Sequence, residues 1–147
     1  MHKKNTIIAH AEPEDLPAIK KLLLSLNLPT EGIENCLPHI YMAKQGEKII
    51  GTIAMEIYGR NALLRSLAVG DNWQGLGIST QLYYSLAEAA KNNGIYQFYL
   101  LTDSVPAYFE RLGFTHIKRD AFPHDVQTSV QFTSAICQTA AAMTKRL

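Results

Sequence analysis

Apolar and polar positions along the chain follow two periods, and the changes from one to the other mark out its elements. "TIIAHA" reads as a first strand, and in "PEDLPAIKKLLLSLNL" the apolar Leu16, Ile19, Leu22, Leu23 and Leu26 are spaced as one helix face. Pro13 and Pro17 fit only the opening turn of that helix, and Pro29 is expected to stop it, because proline cannot donate to the helix ladder. "TEGIENCLPH" predicts a short helix or an irregular segment, and "IYMAKQ" a strand closed by the turn "GE". "KIIGTIAMEIYG" and "NALLRSLAV" are β-rich and meet at Gly59, Arg60 and Asn61, which predicts an antiparallel hairpin.

Beyond the segment "DNWQGLGIST", Ile78, Leu82, Leu86 and Ala89 recur at four- and three-residue steps up to "NNG", a long amphipathic helix that Gly94 can end in a left-handed cap. "IYQFYLLT" follows as a strand, "VPAYFERLG" as a short helix capped by Gly113, "FTHIK" as a strand and "AAAMTKRL" as a closing strand. The order β-α-α-β-β-β-α-β-α-β-β implies a mixed, mostly antiparallel sheet with helices on both faces, an α/β (α+β) architecture.

A length of 147 residues suits one domain over 1–147 with a single core. With 14 basic against 13 acidic side chains the net charge is +1, so no global field argues for nucleic acid or an anionic membrane, and any bound anion must be gripped locally. The opening "MHKKNTIIAHAEPEDL" loses its apolar character too soon for a secretory leader, and no stretch approaches the ~20 apolar residues of a membrane span, so a cytoplasmic protein is expected. Cys36 and Cys137 lack zinc-site spacing and read as ordinary residues, and the five histidines form no metal-ligand pattern, so no metal is expected.

The junction "DNWQGLGIST" carries the chemistry. A strand delivered into a helix leaves the first helical amides aimed at whatever lies ahead of them, and with the positive end of the helix dipole they attract phosphate. Gly75 and Gly77 let backbone approach such a group without a Cβ in the way, and Ser79 and Thr80 can add hydroxyl donors. A tight turn alone would also explain a lone G-x-G. A dinucleotide-binding fingerprint is the rival reading, disfavoured because that motif wants a third Gly or Ala where Thr80 sits, belongs in a parallel βαβ unit and needs an acidic residue ending a following strand.

Strand, then "V-x-D-x-W-Q-G-x-G-I", then amphipathic helix resembles the acetyl-CoA pyrophosphate loop of the GNAT N-acetyltransferases, Q/R-x-x-G-x-G/A, with Gln74, Gly77 and Ser79 at its defining positions. Ser79 departs from the usual Gly or Ala but is still small. "AYFERLGF" is similar to the "FYERLGF" segment of that superfamily, so the resemblance spans nearly the whole chain. "YGRNALLRSLAV" with "YLLTDSVPAYFERLGFTHIKRDAFP" resembles the arsenic-resistance-operon branch, and Leu101 to Pro123 also resembles the acetyltransferase domain of N-acetylglutamate synthases. The resemblance implies a GNAT fold, a twisted sheet of about seven strands splayed in the middle, and acetyl-CoA as cosubstrate. It implies that the run Gln74, Gly75, Leu76, Gly77, Ile78, Ser79 and Thr80 holds the diphosphate. The strand "LLRSLAV" would diverge from "IYQFYLLT" at a bulge, and the pantetheine arm would pair with backbone at Leu67, Ala68 and Val69. An N–H near Leu67 or Ala68 would meet the thioester oxyanion, worth about 3 kcal/mol. Thr102 falls where many members place an asparagine that touches the cofactor arm.

An amine attacks a thioester only when neutral, so a group or water must take its proton, and a second group commonly protonates the departing thiolate. Many GNAT enzymes give the latter task to a tyrosine just ahead of "ERLGF", where this chain has Phe109. Tyr108 is one residue away, turned by about 100° on a helix. Tyr108, Ser104, a water or unassisted release of the thiolate are the alternatives. Glu56 is the candidate base, a carboxylate expected among apolar strand neighbours, with an exposed strand position as the competing reading. Arg65 sits where several relatives carry a catalytic glutamate. Its fork suits the acceptor's carboxylate or a structural pairing, with Arg60 at the hairpin tip as a second candidate.

The sequence thus points to acetyl transfer onto the amino group of a small carboxylate-bearing molecule, glutamate-like or an arsenic- or phosphorus-containing analogue, with detoxification implied by the resemblance alone. A protein N-terminus or lysine as acceptor, and a non-catalytic CoA sensor, are the competing readings. The late helix and closing strand offer a homodimer surface that no sequence pattern establishes.

Overall fold

The computed structural model describes residues 6–133 and 139–147. Cys137 lies outside the described residues, whereas Cys36 is buried as a free thiol. The strands are β1 (Thr6–His10), β2 (Ile40–Gln45), β3 (Lys48–Tyr58), β4 (Asn61–Val69), β5 (Gln97–Thr102), β6 (Thr115–His116) and β7 (Ala141–Arg146). The helices are α1 (Leu16–Ser25), α2 (Ile78–Asn92), α3 (Pro106–Arg111) and α4 (Val130–Thr133). All seven strands join one sheet in the order β1-β2-β3-β4-β5-β7-β6. The β4–β5 pair is parallel, while β1–β2, β2–β3, β5–β7 and β6–β7 are antiparallel. The mixed sheet of seven strands expected from the sequence is therefore present. The chain divides into two compact units, one made of Ser66–Ala89 and the chain up to Met55, the other of Glu56–Arg65 and the chain from Ala90 onward.

In the first unit, α1 buries Ile19 and Leu23 against Ile33, Cys36, Ile40, Met42, Ala54 and Ala68, with Leu16 and Leu26 at the margin. Helix α1 stops before Pro29, contrary to the expectation that this proline ends it. Asn27 takes a left-handed φ of 59°, and the Leu28 and Asn27 amides donate to the Leu23 and Leu24 carbonyls at 2.9 and 3.1 Å. This is a Schellman closure, which asparagine tolerates better than most residues. "TEGIENCLPH" forms a 3-10 segment, Ile33–His39. In α2 the buried side chains within this unit are Ile78, Leu82, Tyr83, Leu86 and Ala87, so the apolar face is broader than Ile78, Leu82, Leu86 and Ala89 suggest, and Ala89 itself is only half-buried.

Strand β3 is buried from Ile50 to Met55 and irregular at its start. Its register against β2 passes from Lys44 opposite Ile49 to Ala43 opposite Gly51, leaving Ile50 as an extra residue, a β-bulge. At Gly51 an added Cβ would lie 3.1 Å from both the Ala68 carbonyl oxygen and Leu82 Cδ1, so glycine lets β4 and α2 approach this point.

In the second unit, the β3–β4 turn uses Gly59 at φ +64°. Pairing of β4 with β5 covers Asn61–Gln97, Ala62–Phe98 and Leu63–Tyr99, although β5 stays paired with β7 as far as Thr102. Leu63, Phe122, Val126 and Ala142 form this unit's core, joined at its margin by Tyr58, Tyr99 and Phe132. Gly113, at φ +100°, closes α3 as expected, with the Phe114 amide on the Phe109 carbonyl at 3.0 Å. Helix α4 and the 3-10 turns Arg119–Ala121 and Val126–Thr128 occupy a connection for which the sequence predicts no element.

Gly51→Val is expected to lower stability by about 1–3 kcal/mol in urea unfolding, since both atoms it meets are fixed, one by backbone and one by the core. A pH effect follows from His39, whose pKa lies below 6.5 because burial disfavours the charged ring, with repulsion from His10 adding to it. As pH falls below 6.5 the unfolded chain takes up a proton that the native ring resists, so stability drops until pH passes the lowered native value. His39→Gln should therefore lose less stability than the parent between about pH 7.5 and 5.

Candidate active site

The candidate residues fall into two groups, one in each unit. In the first unit, the Gly77 carbonyl accepts from the Gln81 amide at 3.1 Å, which makes Gly77 the N-cap of the 15-residue α2. Gly75 and Gly77 both take left-handed conformations, φ +80° and +81°. Side chains rarely adopt this backbone, and space for a Cβ is not the constraint, for at Gly75 nothing lies within 4 Å. The loop thus needs glycine for conformation and leaves Gln74, Gly75 and Gly77 exposed ahead of a long helix, with Leu76, Ser79 and Thr80 half-buried and Ile78 anchored in the core. That arrangement suits a phosphate group.

The Gln74 side chain bonds back to the end of β4. Its Nε2 donates to the Val69 carbonyl at 2.9 Å and reaches Asp71 Oδ1 at 3.5 Å, so it ties the loop to the end of β4. The Gly70 amide donates to the Ile50 carbonyl at 2.8 Å, fixing the same strand end to the β3 bulge.

Ser66, inside β4, has φ +61°. A left-handed non-glycine residue costs about 1–2 kcal/mol, and it tips the strand's peptide planes at the place where a bulge was expected. The Ser66 carbonyl accepts from Thr52 Oγ1 at 2.9 Å, and Thr52 is fully buried. Such a bond, worth about 1 kcal/mol net, is comparable to the strain. Leu67, Ala68 and Val69 follow directly. Sequence reading passed over Thr52 and Ser66, since neither residue type marks a left-handed strand position.

In the second unit, Glu56 is not surrounded by apolar groups, as the sequence suggested. Its Oε1 accepts from the Tyr58 hydroxyl at 2.6 Å and its Oε2 from Arg65 Nη1 at 3.0 Å. The Arg65 side chain is 0% exposed and that of Glu56 14%, so this is a buried ion pair. The structure joins two residues that the sequence placed in separate roles, base and clamp, and the pairing read as Arg65's alternative is made. Arg60 is exposed in the turn, its carbonyl accepting from the Tyr96 amide at 3.0 Å. Thr102, buried at the end of β5, accepts from the Val105 amide at 3.4 Å, and Ser104 is exposed beside it. Phe109 is buried with its ring 5.6 Å from Phe114, whereas Tyr108 is half-buried, with the Arg111 guanidinium 5.8 Å from its ring centre. At the usual tyrosine position, then, the chain has a core residue. Among the described residues no cluster of His, Cys, Asp or Glu could hold a metal.

The profile of the acetyltransferase (GNAT) family matches residues 7–114. The chain belongs to the GNAT acetyltransferase family. Acetyl-CoA is the usual cosubstrate in this family.

No curated protein matches the GNAT chain in sequence. Solved structures share its fold. N-acetylglutamate synthase from Neisseria gonorrhoeae, complexed with coenzyme A and N-acetyl-glutamate, is similar with a TM-score of 0.83 at 19% identity, over 97% of this chain and 35% of that one. This GNAT chain therefore spans about a third of that synthase. An acetyltransferase of the GNAT family from Staphylococcus aureus gives 0.77 at 19% identity over 97% and 99% of the two chains. The ribosomal-protein-S18-alanine N-acetyltransferase from Escherichia coli gives 0.72 at 18% identity over 96% and 93%.

Removing the Glu56 carboxylate takes from the buried Arg65 guanidinium the oxygen that meets Nη1 at 3.0 Å. Glu56→Ala is expected to lower the unfolding free energy of this GNAT chain by about 3 kcal/mol in urea titration.

Proposed function

We propose that the protein transfers acetyl from acetyl-CoA to the amino group of a small, carboxylate-bearing acceptor, glutamate or a glutamate-like compound, by direct attack on the thioester. The observation that carries the reading is the pair of left-handed glycines that open the loop in front of α2. The main chain of 74–80 would hold the diphosphate, and backbone at Leu67, Ala68 and Val69 would receive the pantetheine arm. Thr102 is a further candidate contact for that arm.

Glu56 takes the amine proton, its carboxylate oriented by Tyr58 and Arg65. Ser104 or Tyr108 returns a proton to the thiolate. Arg60, the exposed cation of the hairpin tip, meets the acceptor's carboxylate. The choice of acceptor class is supported by the similarity to a synthase solved with N-acetyl-glutamate and by the resemblance to the arsenic-resistance-operon branch. Arsenic- and phosphorus-containing glutamate analogues belong to the same class, with detoxification as the corresponding role.

Calorimetry with CoA and acetyl-CoA, followed by thiol release against an amine panel with mass detection, tests this reading. Binding of both and acetylation of glutamate or an analogue is the expected result. Acetylation of a peptide α-amine or lysine alone would move the acceptor to a protein, and binding without transfer would make the protein a sensor. Absence of binding would overturn the whole reading. Gly77→Asp, which strains the left-handed backbone and sets a carboxylate at the N-cap, should weaken CoA binding about tenfold or more in calorimetry, with the far-UV circular dichroism of the parent retained.

A further inference from the structure

We propose that Thr52 is a positioning residue for acetyl transfer, its buried hydroxyl aiming the Leu67 main-chain N–H at the thioester carbonyl. This rests on the acetyl-CoA reading above. The Ser66 carbonyl and the Leu67 N–H belong to one peptide unit, which is planar and trans, so the two groups point in opposite directions. Whatever grips the carbonyl on one side therefore aims the N–H on the other. Thr52 Oγ1 grips it at 2.9 Å from a side chain that is 0% exposed.

The neighbouring planes are held from the same strand. Gly51 admits the Ala68 carbonyl, whose oxygen would lie 3.1 Å from an added Cβ, and the Ile50 carbonyl accepts from the Gly70 amide at 2.8 Å. Three consecutive residues of β3 thus set the course of β4 from Ser66 to Gly70. Among them only Thr52 acts through a side chain, and it acts on the residue that is left-handed at φ +61°. Donation into the Ser66 carbonyl also polarises the peptide unit and strengthens its N–H as a donor.

In the transfer step the amine nitrogen bonds to the thioester carbon while the carbonyl π pair moves to oxygen, where the Leu67 N–H receives it. When the C=O re-forms, the C–S bond breaks with its pair on sulfur, the amine proton passes to the base, and the thiolate is protonated to free CoA. An aimed N–H assists only while charge sits on that oxygen, so losing the aim lowers kcat more than cofactor binding.

The test compares Thr52→Val, which removes the hydroxyl at nearly constant volume, Thr52→Ser, which keeps it, and Thr52→Val with Ser66→Gly, in which the left-handed backbone no longer needs support. Expected are a fall in kcat of about 10- to 100-fold for the valine variant with the Kd for CoA changed less than about threefold, near-parental kcat for serine, and at least severalfold recovery in the double variant. In the parent protein, acetyl-CoA but not CoA should shift the Leu67 amide proton downfield in 15N-resolved spectra. Parental kcat in the valine variant, equal loss in the serine variant, or no differential shift at Leu67 would each overturn the role of Thr52 and leave the cofactor assignment standing. The last of these is read on the parent protein, so it decides even where a variant does not fold. A parent protein that binds neither CoA nor acetyl-CoA would remove both.

Discussion

A left-handed serine inside a strand is the constraint that the first unit is built to accommodate. Ser66, at φ +61°, turns the peptide planes of β4 out of the regular ladder, and each nearby feature holds them there. Thr52 binds the Ser66 carbonyl, the Ile50 bulge supplies the carbonyl that takes the Gly70 amide, and Gly51 removes the Cβ that would push β4 and α2 away. Gln74 then bonds back to the Val69 carbonyl, so strand end and glycine loop form one tied segment. A loop that must present main-chain amides to a ligand gains from such bracing, because amides fixed in advance need no ordering when the ligand arrives.

The second unit solves a different problem. It holds a carboxylate in one orientation at the end of the hairpin, with a buried guanidinium on one oxygen and a tyrosine hydroxyl on the other. Such pairs add little net stability against an apolar alternative but are costly to break from one side, which makes them good devices for fixing orientation. The same unit uses Phe109 as core where many GNAT enzymes use tyrosine as an acid, so Ser104, Tyr108, water and unassisted release of the thiolate remain the proposed alternatives.

Much of this was legible in the sequence because it is local. Periodicity, β-rich runs and turn residues located the seven strands and the three longer helices, and Gly94 and Gly113 marked helix ends because φ values of +81° and +100° are a glycine habit. The loop motif was legible for the same reason. Features set by distant partners were not. Asn27 ends α1 through two carbonyls that no motif flags, Ser66 looks like any strand serine, and Thr52 reads as a β-former until its partner 14 residues away is known. The Glu56–Arg65 pair was within reach, since a two-residue turn at Gly59 and Arg60 brings positions 56 and 65 to one face within diagonal distance. Treating each residue singly hid it.

Because the proposed diphosphate and thioester contacts are main-chain groups between residues 67 and 80, a crystal structure with acetyl-CoA tests them most directly. The account predicts the diphosphate within hydrogen-bonding distance of main-chain amides between 74 and 80, and the thioester oxygen about 3 Å from the Leu67 nitrogen. A diphosphate bound elsewhere, or a thioester carbonyl turned away from β4, would contradict it.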